Sequence, residues 1–280
     1  MWADKSKDYL TCTLCPNACK LGDDGFGRCK ARRADMSNGI YLDAYGRLTH
    51  ISVEPISKKP FKHFGDLLTL SIGSYGCNMS CIYCENHEYS QNFKLSESAI
   101  FSPVAIVNLA KANNCQTVCM SFTEPTIHYE YMADLSEATR KEGLKFIIKT
   151  NAYVEQAPWF KICEMVDAAN IDYKGARNYR FCGVEDGSCI IKRIREMVEA
   201  PTKPHIEISI PLFAIDKNES LLSSYMEFVE EISKFTKEVP IHIFEINPAY
   251  RVINFPAVSK EAFAEVEQLF RANFKNVYTY

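Results

Sequence analysis

The chain has 280 residues, enough for one large domain or a domain with an appendage. Hydrophobic residues make up 47% and charged residues 24%, and the net charge of -3 argues against a protein built around nucleic-acid phosphates. No run reaches the roughly 18 apolar residues of a membrane span, and the start, MWADKSKDYL, has no apolar core of signal-peptide length. A cytoplasmic protein with no membrane partner is therefore expected, and in that setting 12 cysteines favour metal or redox chemistry over disulfides.

The first feature in chain order is CTLCPNACKLGDDGFGRC, which holds Cys12, Cys15, Cys19 and Cys29. Gly22, Gly25 and Gly27 let the backbone turn tightly around an ion. Four thiolates close a tetrahedral site, which suits zinc, and a second iron–sulfur cluster is equally allowed by ligand count. A closed site is structural, or presents Arg28 and Arg32 to a partner, whereas a cluster would relay electrons or help bind substrate. Residues 39–54 alternate in strand fashion about Tyr45-Gly46 and predict a hairpin. The run from Glu54 to Pro60 either borders the mouth of a site or is a proline-shaped connection with surface lysines, and the second reading is preferred.

A different rhythm follows. Short apolar runs at 67–73, 116–121, 144–149, 167–172, 205–210 and 241–246 read as buried parallel strands. Helical patterns lie at 102–113, 125–142, 154–165, 188–199, 219–236 and 259–273. Six strands each followed by a helix imply right-handed crossovers and an α/β fold, a partial (β/α)6 TIM-like barrel. Its chemistry is expected at the C-terminal ends of the strands. The division expected is 1–60, a four-cysteine metal-binding extension with a hairpin, and 61–280, the barrel. Cys115, Cys119 and Cys163 read as buried apolar side chains. Cys182 and Cys189 fall in a glycine-containing loop that could approach a substrate.

Directly after the first barrel strand comes GCNMSCIYC, with Cys77, Cys81 and Cys84 at C-x3-C-x2-C spacing. Thiolates suit iron–sulfur clusters and zinc. Three of them leave one position open to an exchangeable group, as a catalytic metal needs; the competing reading is zinc completed by His87 or another side chain.

This spacing, with the aromatic Tyr83 before the third cysteine, resembles the signature of the radical S-adenosylmethionine superfamily. The resemblance implies that Cys77, Cys81 and Cys84 hold three irons of a [4Fe-4S] cluster. The fourth iron would then chelate S-adenosylmethionine. One electron, from a reductant such as flavodoxin or ferredoxin, would cleave the sulfonium to methionine and a 5′-deoxyadenosyl radical that abstracts hydrogen. Phe122-Thr123-Glu124-Pro125 resembles the GGEP element that receives the methionine amino group, with both glycines replaced. Thr150-Asn151 resembles the TNG element near the cofactor. Asp172-Tyr173-Lys174 resembles the D-L-K element of glycyl-radical-enzyme activases, whose lysine lies near the cofactor carboxylate. The resemblance thus makes Tyr83, Thr123, Glu124, Lys149, Asn151, Asp172 and Lys174 cofactor-binding candidates, with Tyr83 beside the adenine.

Lys149 stands where the activating branch often has an aspartate that helps bind a monovalent cation. A lysine beside Asp172 would supply that charge itself, or else point to solvent. CxLCPNxC…GxxGxCxxR, then ISVEPISKKPFKHF, then GCNMSCIYCEN resembles AmmeMemoRadiSam-system enzymes, relatives of pyruvate formate-lyase activating enzymes. These implications favour a protein or peptide substrate, as for a glycyl-radical-enzyme activase. The alternatives are modification of a small molecule and a non-catalytic iron–sulfur or zinc protein.

Further candidates are weaker. His87 could contact cofactor or substrate or be a satisfied loop histidine, and His128 falls on a helix that packs on the barrel. Asn247, Tyr250 and Arg251 follow the sixth strand and are placed to line a substrate cavity, while His242 lies at that strand's front, away from the top. Glu207 and Ser209 alternate on the fifth strand as substrate-site candidates facing the interior.

Overall fold

Apolar runs buried on both faces can form strands only inside a layered α/β structure, and the chain builds one. The computed structural model describes residues 2–91, 99–213 and 221–280. The central sheet comprises β1 (His50–Pro55), β2 (Leu68–Gly73), β3 (Thr117–Met120), β4 (Lys145–Thr150), β5 (Ala168–Asp172), β6 (His205–Leu212), β7 (Ile241–Glu245) and β8 (Val277–Thr279). Strand order follows the sequence, with β1 and β8 at the edges. The strands β2 to β8 run parallel, and β1 is antiparallel to β2. This is an open, singly wound arc, a partial barrel. All six sequence-predicted strands are present. The short β8 adds a seventh parallel strand that the apolar pattern did not reveal.

The helices are α1 (Pro103–Ala112), α2 (Tyr129–Lys141, entered through a 3-10 turn at Pro125–His128), α3 (Gln156–Met165), α4 (Ser188–Glu199), α5 (Ser223–Ser233) and α6 (Lys260–Asn273). Ser102 and Ser259 cap α1 and α6 by accepting from the amides of Ala105 and Ala262 at 3.2 and 3.1 Å. On α4, Ile190, Ile194 and Met197 recur at helical spacing and are buried. The predicted segment 219–236 shortens to α5, and its first two positions lie outside the described residues.

The predicted hairpin at 39–54 is displaced. Gly39–Leu42 pairs antiparallel with Arg32–Asp35, Arg47–Leu48 pairs with Ala99–Ile100, and the next residues form β1 against β2. Alternation set the strand character of both arms correctly, but their partners lie elsewhere in the chain.

Side chains alternate along each strand, so every second residue faces the barrel interior. That face carries Lys149, Asn170, Asp172, Glu207 and Ser209. Glu207 is fully buried at the floor, where its carboxylate accepts from the amides of Lys62 and His63 at 2.9 and 2.8 Å. It also pairs with His205 at 2.8 Å and His242 at 2.5 Å. Asn170 reaches Pro60 O at 2.8 Å, so the 60–63 segment is tied to this floor. Burial alone would raise the Glu207 pKa, but these hydrogen bonds bring it down to about 2. Glu207 is therefore no substrate-site residue; its carboxylate is committed to closing the floor. His242 sits there too, as its place at the front of β7 predicts. The preferred reading of 54–60 also needs correction. Lys59 is buried, pairs with Glu54 at 2.8 Å and lies 3.9 Å above the Phe122 ring.

Candidate active site

The loop after β2 is fixed by the chain around it. Gly76 has a φ of 87°, and a Cβ there would stand 2.2 Å from Cys29 O, so only glycine fits. Farther along, Ser80 N and Ile82 N donate to Cys182 O and Phe181 O at 2.8 and 3.0 Å. The loop thus turns Cys77, Cys81 and Cys84 toward one cavity of about 380 Å³ at the C-terminal ends of the strands. Burial is the first cause of a raised Cys77 and Cys84 pKa, reinforced at Cys77 by Glu124. At Cys81 the contact with Cys182 acts first, then burial.

Among the described residues, no group of three or more His, Cys, Asp or Glu side chains stands closed around a single point. The fit to a cluster rests on the donor set instead: three thiols share one cavity with room for a larger group. His87 is not turned in as a fourth ligand. It stacks on Tyr250 at 4.5 Å, and its Nδ1 meets Cys84 O at 3.2 Å.

The strand-end elements meet around the same cavity, which Thr123, Glu124, Asn151, Asp172 and Lys174 all line. Glu124 is 2% exposed. Its carboxylate accepts from Thr126 N, Thr126 Oγ1, Thr150 Oγ1 and Asn151 N at 3.0, 2.8, 2.6 and 2.8 Å. It therefore ties the end of β3 to the end of β4. Burial pushes its pKa up and these bonds oppose that. Asn151 donates to Asn78 Oδ1 at 2.9 Å and stands 3.8 Å from the Cys77 sulfur. Thr123 Oγ1 donates to Ser74 O at 3.1 Å.

Lys149 does not point to solvent. Its Nζ donates to Asp172 Oδ1 at 2.6 Å, Asn170 Oδ1 at 2.9 Å and Ser209 Oγ at 3.3 Å. Lys174 Nζ stands 3.7 Å from the other Asp172 oxygen. Burial would lower the Lys174 pKa, but Asp172 and the thiols of Cys81, Cys182 and Cys77 raise it above the ordinary lysine range. Burial lowers the Lys149 pKa while Asp172 opposes that, so the two lysines share one carboxylate on this wall. Ser209 is spent on Asn170 at 2.8 Å.

Tyr83 is buried at the cavity edge, with its hydroxyl 3.0 Å from the Cys182 sulfur and its ring 4.4 Å from that of Phe213. Asn247 lines the cavity and donates to Glu85 at 3.1 Å, but Tyr250 and Arg251 are not among the residues that line it. Two residues here lay beyond sequence reasoning. Phe122, where the resembled element has glycine, keeps a left-handed φ of 69°. Its ring is wedged between His50 and Lys59. Lysine at 59 was visible in the KKP run, though nothing in it signals burial. Cys182 approaches Cys81 and Tyr83 through a contact about 100 positions away in sequence.

The other cysteines behave as two groups. Cys115, Cys119 and Cys163 are buried apolar residues, as expected, while Cys189 is half-buried. Cys12, Cys15 and Cys29 are buried and Cys19 half-buried, and none of them lines the cavity. Burial holds the Cys15 thiol at about 12. Arg32 is not presented to a partner. It is 1% exposed, and its guanidinium grips Glu130 with two bonds of 2.6 and 2.7 Å.

Residues 71–181 match the family model of the Radical SAM superfamily. The uncharacterized protein MJ0808 of Methanocaldococcus jannaschii is 29% identical over 267 residues, which cover 91% of this chain and 76% of that one. A Haemophilus influenzae protein named as a glycyl-radical enzyme activating enzyme is 28% identical over 113 residues, covering 38% of this chain and 40% of that one. The crystal structure of Streptococcus suis SuiB bound to S-adenosylmethionine superposes with a TM-score of 0.55 at 14% identity, covering 80% of this chain. SuiB bound to precursor peptide SuiA gives 0.53 at 16% identity, again covering 80%. These matches span 52% and 51% of the SuiB chain, about half its length. The SuiB likeness supports the partial-barrel fold. No helix among the described residues is long and apolar enough to cross a membrane.

Proposed function

With residues 71–181 forming a radical S-adenosylmethionine domain, we propose that this chain is a radical enzyme whose working site is the cavity lined by Cys77, Cys81 and Cys84. A [4Fe-4S] cluster and S-adenosylmethionine, when bound there, supply an electron and a sulfonium whose reductive cleavage yields methionine and a 5′-deoxyadenosyl radical for hydrogen abstraction. The single observation that carries this reading is the sharing of one cavity by those three thiols and the ends of β3, β4 and β5.

Each residue then has a physical task. The three thiols would hold the cluster as thiolates. Lys174, held charged by Asp172, attracts a carboxylate. Lys149 orients Asp172 from below. Asn151 and Thr123 present polar groups to the cofactor, and Glu124 holds both of their loops in place. Tyr83 and Phe122 provide apolar surface that keeps water from a reactive carbon radical. The sheet that begins at His50 encloses this chemistry, and the residues before it brace it. The reductant is a low-potential donor such as flavodoxin or ferredoxin.

The substrate we favour is a protein or peptide, as for a glycyl-radical-enzyme activase. Support comes from the similarity to a protein named as an activating enzyme and to SuiB, which has been crystallised with a precursor peptide. A small-molecule substrate is the second reading. The test is anaerobic reconstitution followed by dithionite and S-adenosylmethionine. The expected product is 5′-deoxyadenosine, seen by mass spectrometry. None forming on an intact cluster counts against radical chemistry. Adding candidate peptides should raise the yield, and a rise only with small metabolites would favour the second reading.

A further inference from the structure

The proposed radical chemistry leaves the four N-terminal cysteines without a task. Their arrangement is specific. Leu10–Cys12 pairs antiparallel with Lys20–Leu21, and the ladder continues as Cys12 N donates to Cys19 O at 2.9 Å. Residues opposed across such a ladder lie about 4.5–5.5 Å apart at Cα. Their thiols can therefore reach the roughly 3.8 Å that separates two sulfurs on one tetrahedral zinc. Cys15 lies in the loop between them, where Ala18 N donates to Cys15 O at 3.1 Å, and Cys29 follows Arg28, whose amide approaches Cys19.

Nitrogen donors meet the sulfurs: Asn17 Nδ2 lies 3.6 Å from the Cys15 sulfur. Arg28 N lies 3.4 Å from the Cys19 sulfur. Such amides are the usual support of thiolates rather than thiols. The buried Arg32 guanidinium lies against Cys12, and its Nε has no hydrogen-bond partner.

This module presses on the loop that carries the radical-site cysteines. Cys29 O closes on Gly76, the residue before Cys77. Asn17, between Cys15 and Cys19, donates to Asn78 O at 2.7 Å. Arg28 bonds Ser80 Oγ at 3.1 Å and also Gly183 O. Asn78 passes the constraint on by donating to Tyr153 O at 2.6 Å.

We propose that Cys12, Cys15, Cys19 and Cys29 bind one zinc ion, and that the loop ordered by this ion clamps residues 76–80 through Asn17 and Arg28. The zinc stands on its own residues. The clamp rests on the radical-site reading of Cys77, Cys81 and Cys84.

The full chain carrying Cys77→Ala, Cys81→Ala and Cys84→Ala, purified without chelators and reconstituted anaerobically with iron and sulfide, should retain one zinc per chain and no iron. Stoichiometric iron, or no bound metal, overturns the zinc site. Adding Cys15→Ala and Cys29→Ala should remove the zinc, and zinc retained in full would overturn these ligands. For the clamp, Asn17→Ala and Arg28→Ala in the otherwise native chain should keep their zinc. Their iron–sulfur absorbance should decay in air about tenfold faster, in line with the loss of a supporting contact around metal ligands. Their reduced-cluster resonance lines should shift as well. Decay and spectrum identical to wild type overturn the clamp. If the native chain itself takes up no cluster, the radical reading fails, while the zinc count in the triple variant remains decisive for the zinc site.

Discussion

Two cysteine clusters lie against each other in this molecule, and chemistry separates them. Cys77, Cys81 and Cys84 share a cavity of about 380 Å³ with ionisable side chains from three strand ends. Cys12, Cys15, Cys19 and Cys29 lie outside that cavity, with the Arg28 amide 3.4 Å from the Cys19 sulfur. Three ligands beside space make a site that can exchange a partner; four ligands in a closed loop make one that holds its shape. The same contrast recurs down the barrel. The polar groups at the top face the cavity, whereas those at the floor bond one another.

The largest expected effect breaks the first contrast outright. Cys81→Ala should abolish 5′-deoxyadenosine formation. An active Cys81→Ala protein would mean that the open site has been misplaced. The floor offers the next test. Glu207 is held near 2 against an ordinary 4.5, a difference worth about 3 kcal/mol. Because its folded pKa is the lower one, that stability is complete above about pH 4.5 and lost as pH falls toward 2. Glu207→Gln should therefore cost about 3 kcal/mol at pH 7 and flatten the acid limb of a denaturation series. It should leave S-adenosylmethionine affinity unchanged; a weakened affinity would blur the division between floor and cavity.

Lys149→Met should do both kinds of damage. It leaves Asp172 without its 2.6 Å partner, costing about 2 kcal/mol in chemical denaturation, and it weakens cofactor binding. Phe122→Leu is the mildest change. It removes the ring beneath the Lys59 ammonium and should cost about 1 kcal/mol while keeping the left-handed backbone.

Much of this was legible in the sequence, for identifiable reasons. The six long strands announce themselves because burial on both faces demands continuous apolar runs. Helix starts at Ser102 and Ser259 follow from local capping. The cysteine spacing and the TEP, TN and DYK elements are local motifs, and the fold gathers them because each follows a strand. The Lys149–Asp172 pair was foreseeable because the two residues end adjacent strands. What escaped depends on long-range pairing. The arms of the expected hairpin have the right alternation but partners from elsewhere in the chain. Glu207 alternates inward like a substrate ligand, and only the arrival of residues 62–63 beneath it shows its structural task. Arg32 resembles a surface arginine until Glu130, 98 positions away, takes it.

The central claim is that the three-cysteine site keeps a coordination position for S-adenosylmethionine while the four-cysteine site keeps none. Its most direct test is electron paramagnetic resonance of the dithionite-reduced, anaerobically reconstituted chain, with and without S-adenosylmethionine. The account predicts a reduced [4Fe-4S] signal, lost in Cys81→Ala and changed in shape by the cofactor. A signal indifferent to S-adenosylmethionine, or one that survives Cys81→Ala and vanishes in Cys15→Ala, would contradict it.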